Sequence, residues 1–171
     1  AAGKTIGIQA IFWDVTNRKR AEADLEQERY LLHALMDNLP HHIYFKDTAG
    51  RFIRINNALA GSFGLSDAAE AQDKTDFEYF ADEYARRARA DEEEVMRSGQ
   101  PMLEKEEETW PDDHSTWVST TKLPLYDDQG RVVGTFGISR DITEQKRAAE
   151  ILRAAKEAAE SASRAKSDFL A

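Results

Sequence analysis

Gly130-Arg131-Val132-Val133-Gly134-Thr135-Phe136-Gly137-Ile138-Ser139-Arg140-Asp141-Ile142-Thr143 runs from a turn, through a β-rich segment, into a charged helical pattern. Val132 to Ile138 predicts a strand, because β-branched and aromatic residues pack well on a pleated surface. Thr143 then suits a helix N-cap, and Asp141 beside it favours the positive end of the helix dipole. The same sentence is written once before. Gly3-Lys4-Thr5-Ile6-Gly7 matches Gly130-Arg131-Val132-Val133-Gly134, Asp14-Val15-Thr16 matches Asp141-Ile142-Thr143, and Lys19-Arg20-Ala21 matches Lys146-Arg147-Ala148, at a constant offset of 127 residues. Leu25 falls opposite Leu152. Two copies of a strand-to-helix joint imply a tandem array. Residues 1–15 are therefore expected to be the terminal strand of a preceding module, with Ile6 to Trp13 as the strand and Thr16 as a helix cap. The chain opens on Ala1 and not Met, which reads as a piece of a longer protein.

Each joint feeds a helix with a heptad rhythm. Over residues 16–39, Ala21, Leu25, Glu28, Leu32, Leu35 and Leu39 alternate steps of four and three, and Pro40 ends the run. Over residues 143–171, Ala148, Ile151, Ala155, Ala158, Ala162, Ala165 and Phe169 keep that rhythm. A second seam through Ala148, Leu152, Ala155, Ala159 and Ala162 competes with it. The exposed face carries i,i+4 pairs such as Lys146–Glu150, Arg153–Glu157 and Lys156–Glu160. At about 1.5 Å per residue, the second helix would extend roughly 43 Å. A core of about 100 residues is only roughly 34 Å across. Its apolar seam therefore needs a second chain, and a parallel homodimer is expected through Leu25, Leu32, Leu35, Leu39, Ala148, Ile151, Leu152, Ala155 and Ala162. Alanine buries little, so this seam is marginal and able to change register.

Between the helices lies a small α+β pattern. His42 to Lys46 and Arg51 to Ile55 predict a hairpin around Asp47-Thr48-Ala49-Gly50. Asn56 or Asn57 caps a short helix through Leu59 and Phe63, Thr75-Asp76 caps another turn, and residues 81–98 form the longest central helix, closed by Gly99 and Pro101. Three strand-like runs follow, Met102–Trp110, Ser115–Tyr126 and Arg131–Ser139, with Pro111-Asp112-Asp113 and Asp127-Asp128-Gln129-Gly130 as turns. Two strands, several helices and three strands fit an antiparallel sheet with helices on one face.

Charge narrows the function. The 171 residues carry 23 Lys and Arg against 32 Asp and Glu, a net charge of −9. All of it belongs to residues 38–142, while both flanking segments are nearly neutral. That balance argues against nucleic-acid binding and against an anionic membrane surface. No run reaches the roughly 20 apolar residues of a membrane span. The chain has no cysteine, which removes disulfides, thiolate metal sites and thiol nucleophiles, and fits a reducing compartment. A cytoplasmic location is expected.

Residues 38–143 resemble the PAS family of bacterial signalling modules. The resemblance rests on Asn38-Leu39-Pro40, Ile43-Tyr44-Phe45-Lys46-Asp47, Gly50-Arg51-Phe52, Ile55-Asn56, Lys74-Thr75-Asp76-Phe77, Ser98-Gly99-Gln100-Pro101 and the closing Gly134 to Thr143. Asn57 stands where the family often has Pro, Gln72-Asp73 lacks a customary Gly, and Asp113 replaces a turn Gly. The resemblance implies a PAS domain over 40–142 with five antiparallel strands ordered 2-1-5-4-3. Ser163 to Ala171 looks like the entry to the dimerisation helix of sensor histidine kinases, which makes 143–171 a signalling helix leading towards downstream kinase domains and 16–39 its N-terminal counterpart. The chain stops before a phosphoaccepting His, so no catalytic residue is assigned.

Intrinsic chemistry is sparse. His41 and His42 point to opposite faces of one strand and cannot share a metal, and neither His33 nor His114 has ligand spacing to another donor. Glu104, Glu106 and Glu108 read as a solvated acidic face. No phosphate-cradling glycine loop is present. Within the family, the missing cysteine excludes a thiol-bonded flavin, and a central helix without His disfavours haem. A small organic ligand or non-covalent flavin stays open, in a pocket lined by Ile43, Phe45, Ile53, Ile55, Leu59, Phe63, Phe77, Phe80 and Met96. Two functions follow. Either the domain relays a signal between its helices, with Asp14, Thr16, Asp141, Ile142 and Thr143 as transmission residues, or it binds a ligand and starts the signal itself.

Overall fold

The computed structural model describes the backbone of residues 3–109 and 116–170, and the side chains of residues 17–109 and 116–161. The chain divides into two units, 1–39 and 40–171. The first is one helix, α1 (Gly3–Asn38). The strand expected over Ile6 to Trp13 is not formed, and Thr16 lies inside the helix instead of capping it. A single strand has no ladder partner of its own, whereas a helix satisfies its backbone internally. On α1, Leu25, Leu32 and Leu35 are exposed, and Leu39 just after its end is half-buried. The side chains of Asp14 and Thr16 lie outside the described residues.

The second unit has the expected architecture. Strands β1 (His42–Asp47), β2 (Phe52–Ile55), β3 (Met102–Thr109), β4 (Thr116–Tyr126) and β5 (Val132–Asp141) form one sheet in the order β2-β1-β5-β4-β3, every neighbour antiparallel. Between β2 and β3 run α2 (Asn57–Ser62), two 3₁₀ turns (Ala68–Ala71 and Asp76–Glu78) and α3 (Asp82–Ser98). Helix α4 (Thr143–Leu170) follows β5 directly. The turn anticipated at Pro111-Asp112-Asp113, with His114, lies outside the described residues.

Local chemistry explains the boundaries. Asn56, fully buried, caps α2: its Oδ1 accepts the Leu59 N–H at 3.2 Å and the Ile43 N–H at 3.0 Å, while its Nδ2 donates to the His41 carbonyl at 2.8 Å. One side chain thus ties a helix start to the edge of β1. Helix α3 ends at Gly99, whose φ of 65° is the left-handed cap that glycine adopts without strain. Asp73 holds a φ of 61°, a conformation that Asp tolerates better than most residues.

Strand register sets which side chains face the helices. Tyr44 pairs with Gly137, which pairs with Lys122, and His42 pairs with Ser139, which pairs with Thr120. These rows lie on the inner face. Tyr44, Phe52, Ile55, Leu59, Ala60 and Ala71 form the buried cluster, with Phe63, Leu65, Ala68 and Tyr79 packed against it. Gly137 leaves room for the Tyr44 ring. A Cβ there would lie 2.4 Å from the Tyr44 hydroxyl oxygen and 2.5 Å from its Cζ. Gly137→Ala should therefore destabilise the chain by about 1–3 kcal/mol, as overpacking does. Tyr44→Phe should not restore it, because the ring carbon still clashes; urea denaturation of the single and double variants checks both.

Candidate functional site

A cavity of about 270 Å³ lies between the inner sheet face and the helices. Its apolar wall is aromatic: Tyr44 and Phe52 from the hairpin, Phe63 after α2, Tyr79 and Phe80 before α3, and Tyr84 on α3. Phe63 and Tyr79 stack face to face with centroids 4.0 Å apart, and Phe80 meets Phe63 edge-on at 5.4 Å. Its polar wall carries His42, Lys46, Asp76, Glu92, Thr109, Thr116, Lys122, Ser139 and Asp141.

Two lysines are buried there, each 2% exposed. Lys46 on β1 bonds Asp76 and, at 2.6 Å, Glu92 on α3. Its ammonium also lies 4.6 Å from the Phe52 ring centroid and 5.1 Å from that of Tyr44. Lys122 on β4 donates to the Ala88 carbonyl and to Asp91, both at 3.2 Å. Asp91 is shared with Lys105 at 2.6 Å, and Lys105 also reaches Glu107 at 3.4 Å. Strands β1, β3 and β4 are thus tied by charge to α3 and the turn before it. Burial raises the Glu92 carboxyl above its ordinary 4.5, with Lys46 pulling it back. Burial also raises the Tyr44 and Tyr84 phenols, assisted by surrounding carboxylates. His42 is lowered from its ordinary 6.5 by burial, and Asp141 opposes that.

The cavity touches the joint into α4. Asp141 lines it and accepts the Thr143 N–H on Oδ1 at 2.8 Å. Thr143 Oγ1 accepts the Trp117 N–H of β4 at 2.9 Å, and the Ile142 N–H donates to the Trp117 carbonyl at 2.8 Å. Thr143 was expected to cap its own helix; its hydroxyl is instead committed to β4, and Asp141 supplies the acceptor for the first helical N–H. Lys146 was expected to pair with Glu150. It bonds Glu106 on β3 and lies 4.9 Å from the Trp117 ring centroid. Farther along α4, Arg153–Glu157 and Lys156–Glu160 keep their i,i+4 pairs, and Ala148, Ile151, Leu152 and Ala155 are exposed. The Ala162 side chain lies outside the described residues.

Of the anticipated pocket residues, Leu59, Phe63 and Phe80 line the cavity. Ile43 and Phe45 occupy the opposite parity of β1, and Phe45 stacks on Phe136 at 5.6 Å. Placing the apolar residues of β1 inward was an error of one residue, which turns a strand over. Ile53 and Phe77 are half exposed, Ile55 packs in the buried cluster, and Met96 is off the wall. Lys46, Lys122, Asp76, Glu92 and Tyr44 were not anticipated. The alternation Tyr44–Lys46 and Val118–Thr120–Lys122, opposite acidic positions 91 and 92 on α3, was the available signal.

A model of the PAS fold matches residues 36–147. The chain belongs to the PAS family. As a PAS domain it resembles segments of sensor kinases. The virulence sensor protein BvgS of Bordetella pertussis is 30% identical over 160 residues, covering 92% of this chain and 13% of that protein. The aerobic respiration control sensor protein ArcB of Escherichia coli is 27% identical over 145 residues, covering 85% and 18%. The chain therefore spans under a fifth of these relatives' lengths. Among solved structures, VqmA bound to DPO is 28% identical with a TM-score of 0.58, covering 68% of this chain and 57% of that one.

The ion triad makes its own prediction. Lys46→Met strands two buried carboxylates and should cost about 3–5 kcal/mol at neutral pH. Glu92 has a raised value in the fold, so its contribution to stability is fully present below the ordinary 4.5 and is lost as pH rises through the raised value. Without Lys46 the rise grows, and the gap between variant and parent should narrow as pH falls towards 4.5. Urea midpoints at several pH values read this directly, and a constant gap would refute it.

Proposed function

We propose that this PAS domain is a sensory and signal-relay module of a multidomain sensor histidine kinase, and that it works as a parallel homodimer. A conformational change in the core passes through the β5–α4 joint into α4 and on to kinase domains beyond it. The chain itself catalyses nothing in this reading, needs no nucleic acid or membrane insertion, and acts in the cytoplasm. The observation that carries it is the Trp117–Thr143 bond. The first residue of α4 is held by a strand inside the sheet, so a shift of β4 against β5 must move the helix. Marginal alanine packing then lets α4 change register at low cost.

A second reading is favoured by the cavity: the domain binds a small molecule and starts the signal itself. The walls reach Asp141 and Val118, which pair across β4 and β5 at the joint. VqmA, similar in fold and 28% identical, is described bound to DPO, which supports ligand occupancy in this class of fold.

The test fuses the chain in frame to a histidine kinase dimerisation and catalytic core and measures ATP-dependent autophosphorylation. Thr143→Val and Asp141→Ala should each change the rate severalfold while costing stability only about 0.5–2 kcal/mol, as loss of a cap does. Unchanged rates in both would refute the joint mechanism. For the dimer, Leu32→Glu with Ile151→Glu should convert the chain to monomer in sedimentation equilibrium at micromolar concentration. A parent already monomeric there would refute the paired helices.

A further inference from the structure

Two buried ammonium groups define what the cavity can accept. An ammonium has three donors. Lys46 uses two, on Asp76 and Glu92, and Lys122 uses two, on the Ala88 carbonyl and Asp91. Among the described residues each keeps one N–H without an oxygen partner, and both side chains line the cavity. A buried polar group left unpaired costs free energy, so both favour an occupant with a lone pair.

The lysine charges, by contrast, are already met. Among the groups lining the cavity, Asp76, Glu92 and Asp141 outnumber Lys46 and Lys122, while His42 is held towards its neutral form. Behind that wall Asp91 and Glu107 share Lys105. An anion entering here would have to displace a carboxylate from its lysine or sit uncompensated. A cation offers no lone pair to the two spare donors, and two of the three lining carboxylates are already committed to Lys46. The aromatic rings add flat apolar surface, and 270 Å³, set against about 30 Å³ for a water in the liquid, suits one or two rings.

We propose that the cavity takes an uncharged, planar molecule of one or two rings, bearing a carbonyl oxygen or ring nitrogen that accepts from Lys46 or Lys122, and that it rejects carboxylates and phosphates. This rests on the ligand-sensing reading. It also turns away flavin nucleotides, whose phosphate finds no free cation among the described residues of these walls.

Benzamide, benzoate and benzamidinium share one shape and differ in charge. Each is titrated into the 171-residue chain while the methyl resonances of Leu59 and Val118 are followed by NMR. Benzamide should shift them saturably at millimolar concentration. The two ions should bind at least about tenfold more weakly, the difference of one charge-assisted contact. Lys122→Met leaves Asp91 its partner Lys105 and should weaken benzamide by about fivefold, a loss of one hydrogen bond. If benzoate or benzamidinium binds as tightly as benzamide, the proposed charge class is wrong, although the cavity still binds ligands. If none of the three moves the resonances, the ligand-sensing reading itself falls. An unchanged benzamide affinity in folded Lys122→Met overturns the donor role; should that variant not fold, the three probes on the parent chain decide.

Discussion

The Lys46 ammonium, held at once by Asp76 and Glu92, is the contact on which the position of the helical layer depends. Burying a lysine in an apolar core is costly unless its charge is met, and here the partners come from two separate elements. Asp76 arrives on a 3₁₀ turn and Glu92 on α3, so the chain between β2 and β3 must close over β1 in one arrangement to satisfy them. Greasy packing alone would tolerate small slides of α3, because apolar contact is not directional. Hydrogen-bonded charge is. Lys122 repeats the device on β4, with Asp91 one position before Glu92, so one turn of α3 holds two interior strands of the sheet.

That fastening bears on how a signal can leave the domain. If α3 is pinned to β1 and β4, a disturbance in the cavity cannot be absorbed by the helix drifting away. The softer boundary lies at the opposite rim, where β4 and β5 meet α4. There, around the buried Ile142, the polar ties are single hydrogen bonds to and from Trp117 and one half-exposed ion pair, Lys146–Glu106. Each is worth about 1 kcal/mol or less. A rigid interior beside a weakly fastened exit suits transmission, since displacement goes where resistance is least.

The architecture was legible in the sequence because it depends on signals with a short range. Gly99 and Pro101 end a helix, Asn56 caps one, and Asp127 to Gly130 turns a hairpin, and none of these needs tertiary context. The order of the strands came from family resemblance. The cavity wall was not legible, for a reason that β1 makes plain. Ile43 and Phe45 are the apolar residues of that strand, and apolar residues are ordinarily placed inward. The fold turns Tyr44 and Lys46 inward instead, which is favourable only because Asp76 and Glu92, 30 and 46 residues later, supply the counter-charge. A parity choice settled by residues so far along the chain cannot be read from the strand itself. The repeat misled in the same way. Ile6 to Trp13 copies a strand in composition, yet a strand exists only beside another, and those residues are helical.

A polar inner wall also alters what the acidity of the chain means. A net charge of −9 concentrated in residues 38–142 first reads as a solvated surface property. Part of it is internal: Asp76 and Glu92 are buried and Asp91 nearly so, and their partners Lys46 and Lys122 are buried with them. These carboxylates are screened by salt much less than exposed ones, so their hold on the two lysines should persist at ionic strengths that silence the exposed pairs on α4. Salt would then loosen the exposed α4 pairs and the Lys146 contact first, and the core last. The domain is built so that its ionic environment reaches α4 more easily than it reaches the frame that holds the cavity.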